Sequence, residues 1–307
     1  MHLSYGLPTH RVDRAGEFLV PGAIGELSAA AEAAGFDAVS ATEHPFPSDG
    51  WLAAGGHHAL DPLVALSFAA AATTRVRLHT NLFVAAYRNP FLAAKGIATL
   101  DVLSGGRVIL GIGVGYLEEE FGALGASFGD RGERTDDAIA AMRLAWTGST
   151  VERRGPGYRA TGNTMLPRPV QRPGPPIWVG GNSRRAIRRA VELADGWSPF
   201  PAGRGLAGAT GTAVLRTADD LARSLEYAAA HAAAVGRTRP LTVAFVPEGL
   251  AMTDRGDLDE ERVVVSIRRL AEVGVSWVTV ALPGDTRGAQ LGVLDRFSAI
   301  ADHVAGI

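Results

Sequence analysis

Short apolar runs alternate with helix-like stretches from one end of the chain to the other. The runs fall at residues 2–8, 37–44, 75–84, 107–114, 175–181, 196–200, 241–248 and 275–282, and each reads as a strand. The third, fourth, seventh and eighth are almost continuously apolar, the pattern of parallel strands covered on both faces. Between the runs, helices are expected over 24–34, 61–73, 90–103, 131–147, 183–194, 217–235 and 259–273. In the last, Val263, Ile267, Leu270 and Ala271 share one stripe, and acids fill the first turn, where the positive end of the helix dipole favours them. Gly35, Gly196 and Gly274 each stand between a helix and a strand, where a left-handed C-cap is expected.

Eight strands alternating with helices predict a (β/α)8 barrel forming a single domain over 1–307, with an open doubly wound sheet as the rival. Two stretches break the rhythm, 45–62 after the second strand and 199–215 after the sixth. Both leave the C-terminal end of a strand, the face on which barrels carry their active sites. They read either as lids and substrate walls or as plain surface loops. The segment 148–174, with "RPVQRPGPP", reads as an irregular connection.

Composition narrows the partners. The chain is 47% hydrophobic, enough for a large core, and its net charge of −2 argues against nucleic acid or an anionic membrane. The absence of cysteine removes disulfides, thiolate metal sites and thiol catalysis, and fits the cytoplasm. Residues 1–14 carry neither a basic region nor an apolar core, so no signal peptide is expected. The longest apolar stretch, 59–74, is interrupted by Asp61 and Pro62 and is too short to span a bilayer.

The fourth strand runs into "GIGVGYLEEEF", which has the pieces of a phosphate loop in the wrong order. Gly111, Gly113 and Gly115 are spaced G-x-G-x-G, Tyr116 stands where a third fingerprint glycine belongs, and Glu118, Glu119 and Glu120 would repel a phosphate. These glycines either let a flat ring approach the backbone or relieve crowding in the barrel. A better anion site lies at 177–194. There a strand ends in Gly180 and Gly181, and Asn182 or Ser183 can cap a helix with free N–H groups. Arg184, Arg185, Arg188 and Arg189 either reinforce that site or form a solvated face.

His44 ends the second strand in "SATEHP", where an imidazole can exchange a proton with Glu43 available to orient it. Thr80 and Asn81 are polar residues inside an apolar run; they face either a heterocycle or a neighbouring strand. No metal site is expected, because His57 and His58 are adjacent rather than spaced as ligands. Lys95, the single lysine, falls in a helix, which removes the amine of a Schiff-base aldolase.

Residues 80–121, "TNLFVAAYRNPFLAAKGIATLDVLSGGRVILGIGVGYLEEEF", and 168–197, "RPVQRPGPPIWVGGNSRRAIRRAVELADGW", resemble the bacterial-luciferase-like superfamily. Within it they resemble the oxidoreductases dependent on the deazaflavin coenzyme F420. The resemblance implies a (β/α)8 barrel, commonly a homodimer, that holds the cofactor at its C-terminal mouth and moves a hydride to or from a small organic substrate. It places Glu43 and His44 beside the ring as the catalytic pair. It puts a non-proline cis peptide between Asn81 and Leu82, and lets Thr80, Asn81, Leu82, Gly113, Gly115 and Tyr116 border the cofactor. Gly180, Gly181, Asn182 and Ser183 match the phosphate-binding turn. The alternative within the superfamily is a two-component monooxygenase using reduced FMN and oxygen, and only that reading calls for a flavin reductase partner. Two departures stand out. Tyr116 replaces the acid carried there by the sugar-phosphate dehydrogenases, and Glu43 replaces the more usual aspartate beside the histidine. The loops at 45–60 and 199–215 are mostly small or apolar, which points to an uncharged or hydrophobic substrate, with Trp51 and Phe46 as candidate lining residues.

Overall fold

The computed structural model describes residues 1–248, 250, 259–304 and 306. The other positions of the expected domain 1–307 lie outside the described residues. Eight of the expected runs form strands: β1 (His2–Gly6), β2 (Ala38–Ala41), β3 (Arg77–Val84), β4 (Val108–Gly113), β7 (Ile177–Gly180), β8 (Gly196–Ser198), β9 (Thr242–Phe245) and β10 (Trp277–Val280). They pair in parallel and close a barrel in the order β1-β10-β9-β8-β7-β4-β3-β2, which removes the open sheet. Ala38, Ile109, Trp178, Ala244 and Trp277 form a small cluster of their own. Leu3, Leu78, Leu110, Val179 and Val243 instead join helix residues such as Leu66, Ile97 and Ile187 in the larger core. Both faces of the strands are therefore covered, as their apolar runs require.

Local chemistry starts the helices that follow β2 and β3. Asp61 accepts from the N–H groups of Leu63 and Val64, with Pro62 in the first turn of the helix Pro62–Ala72. Asn89 accepts from Phe91 and Leu92 ahead of Pro90–Leu103, again with proline in the first turn. Such caps stabilise a helix by about 1 kcal/mol each. Gly35 (φ 87°) and Gly274 (φ 99°) take the left-handed conformation expected of them. Gly196 does not. It opens β8, and a Cβ there would lie 2.4 Å from Trp178, so the position is small because the tryptophan ring needs the space.

The connection at 148–174 is not irregular throughout. Residues Val151–Gly155 (β5) and Tyr158–Asn163 (β6) form an antiparallel hairpin outside the barrel. Arg153 (2.6 Å) and the Tyr158 hydroxyl (2.7 Å) both donate to Asp137, tying the hairpin to the helix Arg131–Trp146. Short helices Asp49–Ala53 and Arg204–Thr210 interrupt the two long loops, and a further helix, Arg287–Val304, lies beyond the expected set. No helix among the described residues is long and apolar enough to cross a membrane.

Candidate active site

A cavity of about 830 Å³ opens at the C-terminal mouth of the barrel. Its walls include Glu43 and His44 beyond β2, Asn81 and Leu82 on β3, Gly113, Gly115 and Tyr116 at the end of β4, and Gly180, Gly181 and Ser183 at the end of β7. Four chain segments named separately from the sequence thus meet at one space. Thr80 and Asn182 are not on the wall. Thr80 is buried and donates from Oγ1 to the Gly111 carbonyl at 2.9 Å, so its hydroxyl serves strand packing.

The floor is built by β3. Its register against β4 shifts between Thr80 and Phe83, and the Asn81–Leu82 peptide is cis. The Leu82 side chain then lies across three glycines. A Cβ at Gly180 would come within 2.0 Å of it, one at Gly111 within 3.1 Å, and one at Gly113 within 3.4 Å. Of the three, only Gly180 is kept small by Leu82 itself. At Gly111 the Thr80 carbonyl oxygen lies 2.1 Å from where a Cβ would sit, and the 3.4 Å at Gly113 is ordinary contact, so Gly113 stays on the cavity wall beside the apolar Leu82 surface. Gly115 has its own reason, a φ of 78° and Phe121 within 2.6 Å of where a Cβ would sit.

Glu43 does not turn to His44. Its Oε2 accepts from the Val84 N–H at 2.6 Å, and both oxygens accept from Arg88, whose guanidinium also lies over the Phe83 ring. Burial pushes the Glu43 carboxyl up, opposed by Arg88 and the Val84 N–H. Its evident work is to pin the end of β3.

The acid that faces His44 is Glu120, one of the three glutamates expected to repel a phosphate. Glu120 is 0% exposed. Its Oε1 accepts from the Phe46 N–H at 2.9 Å, its Oε2 accepts from the Tyr87 hydroxyl at 2.6 Å, and the same Oε2 stands 3.5 Å from His44 Nδ1. Burial alone would raise this carboxyl; the His44, Tyr87 and Phe46 contacts hold it below the usual range, so it is ionised at neutral pH. On the other side of the imidazole, Nε2 lies 3.1 Å from the Tyr116 hydroxyl. Burial, then the Glu120 charge, pushes that phenol up to about 12. Trp51 and His57 pack on the His44 ring with centroids 4.4 and 4.9 Å away. Trp51 thus covers the histidine without reaching the cavity wall, and Phe46 is exposed. A signal for Glu120 does exist in the sequence. Leu117, Glu120 and Phe121 fall at helical spacing and are buried, which puts this glutamate alone of the three on the buried stripe.

At the other end of the cavity, Ser183 caps the helix Arg184–Leu193 by accepting from the Ala186 N–H. The first-turn N–H groups of Arg184 and Arg185 have no carbonyl within the helix to bind, and both residues line the cavity. The four arginines divide. Arg189 is bound to Asp136, Arg188 donates to the Tyr227 hydroxyl, and the Arg184 guanidinium lies over the Tyr227 ring, 5.0 Å from its centroid, while Arg184, Arg185 and Arg189 all line the cavity. Asn182 is spent elsewhere. Its amide donates to the Phe200 and Ala213 carbonyls and accepts from the Phe200 N–H, while its own N–H donates to Thr212 Oγ1. It fastens the loop after β8 to the anion turn. One cavity is thus lined by Arg184 and Arg185, by the Leu82 side chain and by His44 and Tyr116, which suits a ligand with an anionic tail and a flat ring. No group of three or more His, Asp and Glu among the described residues could hold a metal ion.

Comparison with known proteins places the fold in a family. The profile of the luciferase-like monooxygenase family matches residues 1–264. An uncharacterized protein of Mycobacterium tuberculosis is 34% identical over 183 residues, 56% of this chain and 62% of that protein, so the match spans less than two thirds of its length. A putative coenzyme F420-dependent oxidoreductase of the same organism is 36% identical over 186 residues, 57% of this chain and 50% of the other. An FMNH2-dependent dimethylsulfone monooxygenase of Pseudomonas putida is 36% identical over 110 residues, 35% of this chain and 30% of the other. Among solved structures, a monooxygenase from Streptomyces bottropensis superposes with a TM-score of 0.78 at 21% identity, covering 100% of this chain and 99% of that one. An F420-dependent secondary alcohol dehydrogenase superposes with a TM-score of 0.74 at 18% identity, covering 99% and 98%. At these identities the structures speak for the fold.

Proposed function

The chain belongs to the luciferase-like monooxygenase family, a family of oxidoreductases and monooxygenases, and from that premise we propose that it is a coenzyme F420-dependent oxidoreductase acting on a small uncharged organic molecule. The observation that carries the reading is one cavity whose lining combines Leu82, His44 and Tyr116 with the turn residues Gly181, Ser183, Arg184 and Arg185. Leu82 would bear the ring, and the N–H groups and guanidinium groups of Arg184 and Arg185 would hold its phosphate and acidic tail. When bound, the deazaflavin supplies two-electron hydride chemistry. His44 and Tyr116 then hold or move the accompanying proton. Phe200, Leu206, Phe245 and Val246 on the same wall favour an uncharged partner for the ring.

The relative named as an FMNH2-dependent monooxygenase supports the other reading, in which reduced FMN and oxygen are used and a separate reductase supplies the flavin. A binding titration separates the two. Submicromolar binding of F420 with no saturable FMN binding is expected; FMN binding without F420 binding would reverse the assignment. Homodimer formation is part of the proposal, with the exposed Val64, Phe68, Leu92 and Leu103 as its apolar contacts, and light scattering should return twice the chain mass.

A further inference from the structure

We propose that Glu120 is a positioning residue, whose buried carboxylate fixes the proton of His44 on Nδ1 and so leaves Nε2 to exchange a proton with the cavity through the Tyr116 hydroxyl. The proposal rests on the mouth being the reaction site and adds which nitrogen works and why.

Three observations carry it. First, Glu120 can only accept. Its oxygens already receive the Phe46 N–H and the Tyr87 hydroxyl, which fix the carboxylate in place, and the remaining neighbour of Oε2 is His44 Nδ1 at 3.5 Å. A nitrogen facing a held carboxylate in a buried site carries a proton. The distance is that of an ion pair, and among the described residues Nδ1 has no hydrogen bond of ordinary geometry. Contacts of this kind tighten when a ligand closes the site. Second, the ring is not free to turn over. Trp51 and His57 pack on it from the loop after β2, and Tyr116 packs on it from the end of β4. Third, His44 is buried while Tyr116 is half-buried on the cavity wall, so the phenol is the more open member of the pair.

The proton balance is simple. When a cavity group takes a proton, the Tyr116 O–H bond breaks and the phenol oxygen is refilled from Nε2 of His44 in its imidazolium form. His44 is left neutral with Nδ1–H facing Glu120. In the opposite direction each proton retraces its path, and the imidazolium forms beside the Glu120 carboxylate. The groups facing His44 in this cycle are Glu120, Tyr116 and His57, with His10 behind His57.

Nitrogen NMR of the full chain labelled with 15N-histidine tests this, with the His44 signals assigned by their loss in His44→Asn. At alkaline pH the wild-type ring should carry its proton on Nδ1, by a ratio of about tenfold or more for a charge-assisted contact. In Glu120→Gln the one amide oxygen is drawn to the Phe46 N–H. The amide NH2 then faces Nδ1, and the proton should move to Nε2. Tyr87→Phe, which keeps the carboxylate, should keep the proton on Nδ1. Tyr116→Phe should also keep it there while shifting the Nε2 signal toward that of an unbonded nitrogen. A wild-type proton on Nε2, or an unmoved proton in Glu120→Gln, overturns the proposal. Should Glu120→Gln fail to fold, the wild-type and Tyr87→Phe spectra decide it alone. The spectra need no cofactor, so a failed F420 titration and a failed tautomer test are separate results.

Discussion

Replacing Gly180 by alanine puts a methyl group where Leu82 already lies. The new carbon would sit 2.0 Å from Leu82 Cδ1 and 3.2 Å from Cδ2 and Cγ. Packed carbons stand about 3.5–4.0 Å apart, so the overlap approaches about 2 Å and cannot be absorbed by small shifts. Leu82 lines the cavity, and lifting into that space is its open route of escape. Overpacking of this kind costs about 1–3 kcal/mol. In a chain of 307 residues that lowers Tm by about 2–5 °C, readable by scanning calorimetry. A lifted Leu82 also occupies the place proposed for the ring, so F420 affinity in a fluorescence titration should fall by about tenfold or more, the equivalent of about 1.4 kcal/mol. The double variant with Leu82→Ala removes the clash. Its loss of Tm should be smaller than the sum of the two single losses, because the residues share one contact. A Gly180→Ala protein with unchanged Tm and affinity, or strictly additive losses in the double variant, would refute the seat argued for Leu82.

Three further expectations follow from the same packing. Arg88→Met leaves the Glu43 carboxylate buried without its cation and should cost about 3–5 kcal/mol in urea unfolding. Because burial raises Glu43, the deficit should narrow as pH falls and the group protonates; a pH-independent deficit would count against the pairing. Asn182→Ala removes the bonds that fasten the loop after β8, and limited proteolysis should then cut within 199–213 faster than in the wild type; equal rates would count against the clamp. His79 is held down to about 3 by burial and then by Arg77, and His10 to about 4 by burial, His57 and Arg11. Both are neutral in the folded chain where an unfolded histidine would already bind its proton. Their contribution to stability is therefore complete above the ordinary value of about 6.5 and is lost as pH falls toward 4 and 3. A urea midpoint that falls across this window, less steeply in His10→Gln, is expected; a flat profile would contradict it.

The barrel was legible because each element carries its own local signal. Asp61 with Pro62 and Asn89 with Pro90 announce helix starts, and the apolar runs of β3, β4, β9 and β10 announce strands buried on both faces. The hairpin β5–β6 gave no such signal. "VERRG" and "YRATGN" show little apolar alternation, and the pairing is held instead by contacts such as those of Arg153 and Tyr158 with Asp137, distant in the sequence. At the mouth, the segments were legible but several roles were not. Gly180 marks a close approach, yet nothing in the sequence says that the approaching group is Leu82 rather than a ligand. Glu43 sits next to His44 in sequence, but the β2 exit sends its side chain to Val84 and Arg88. Glu120, 76 positions away from His44, reaches the imidazole because β4 and the short helix after it fold back over the mouth.

The most direct test of the account is a crystal structure of the chain with F420 bound. The ring should lie on Leu82 beside His44 and Tyr116, with the phosphate against the backbone N–H groups of Arg184 and Arg185. A phosphate bound away from 181–185, or a ring outside the barrel mouth, would contradict it.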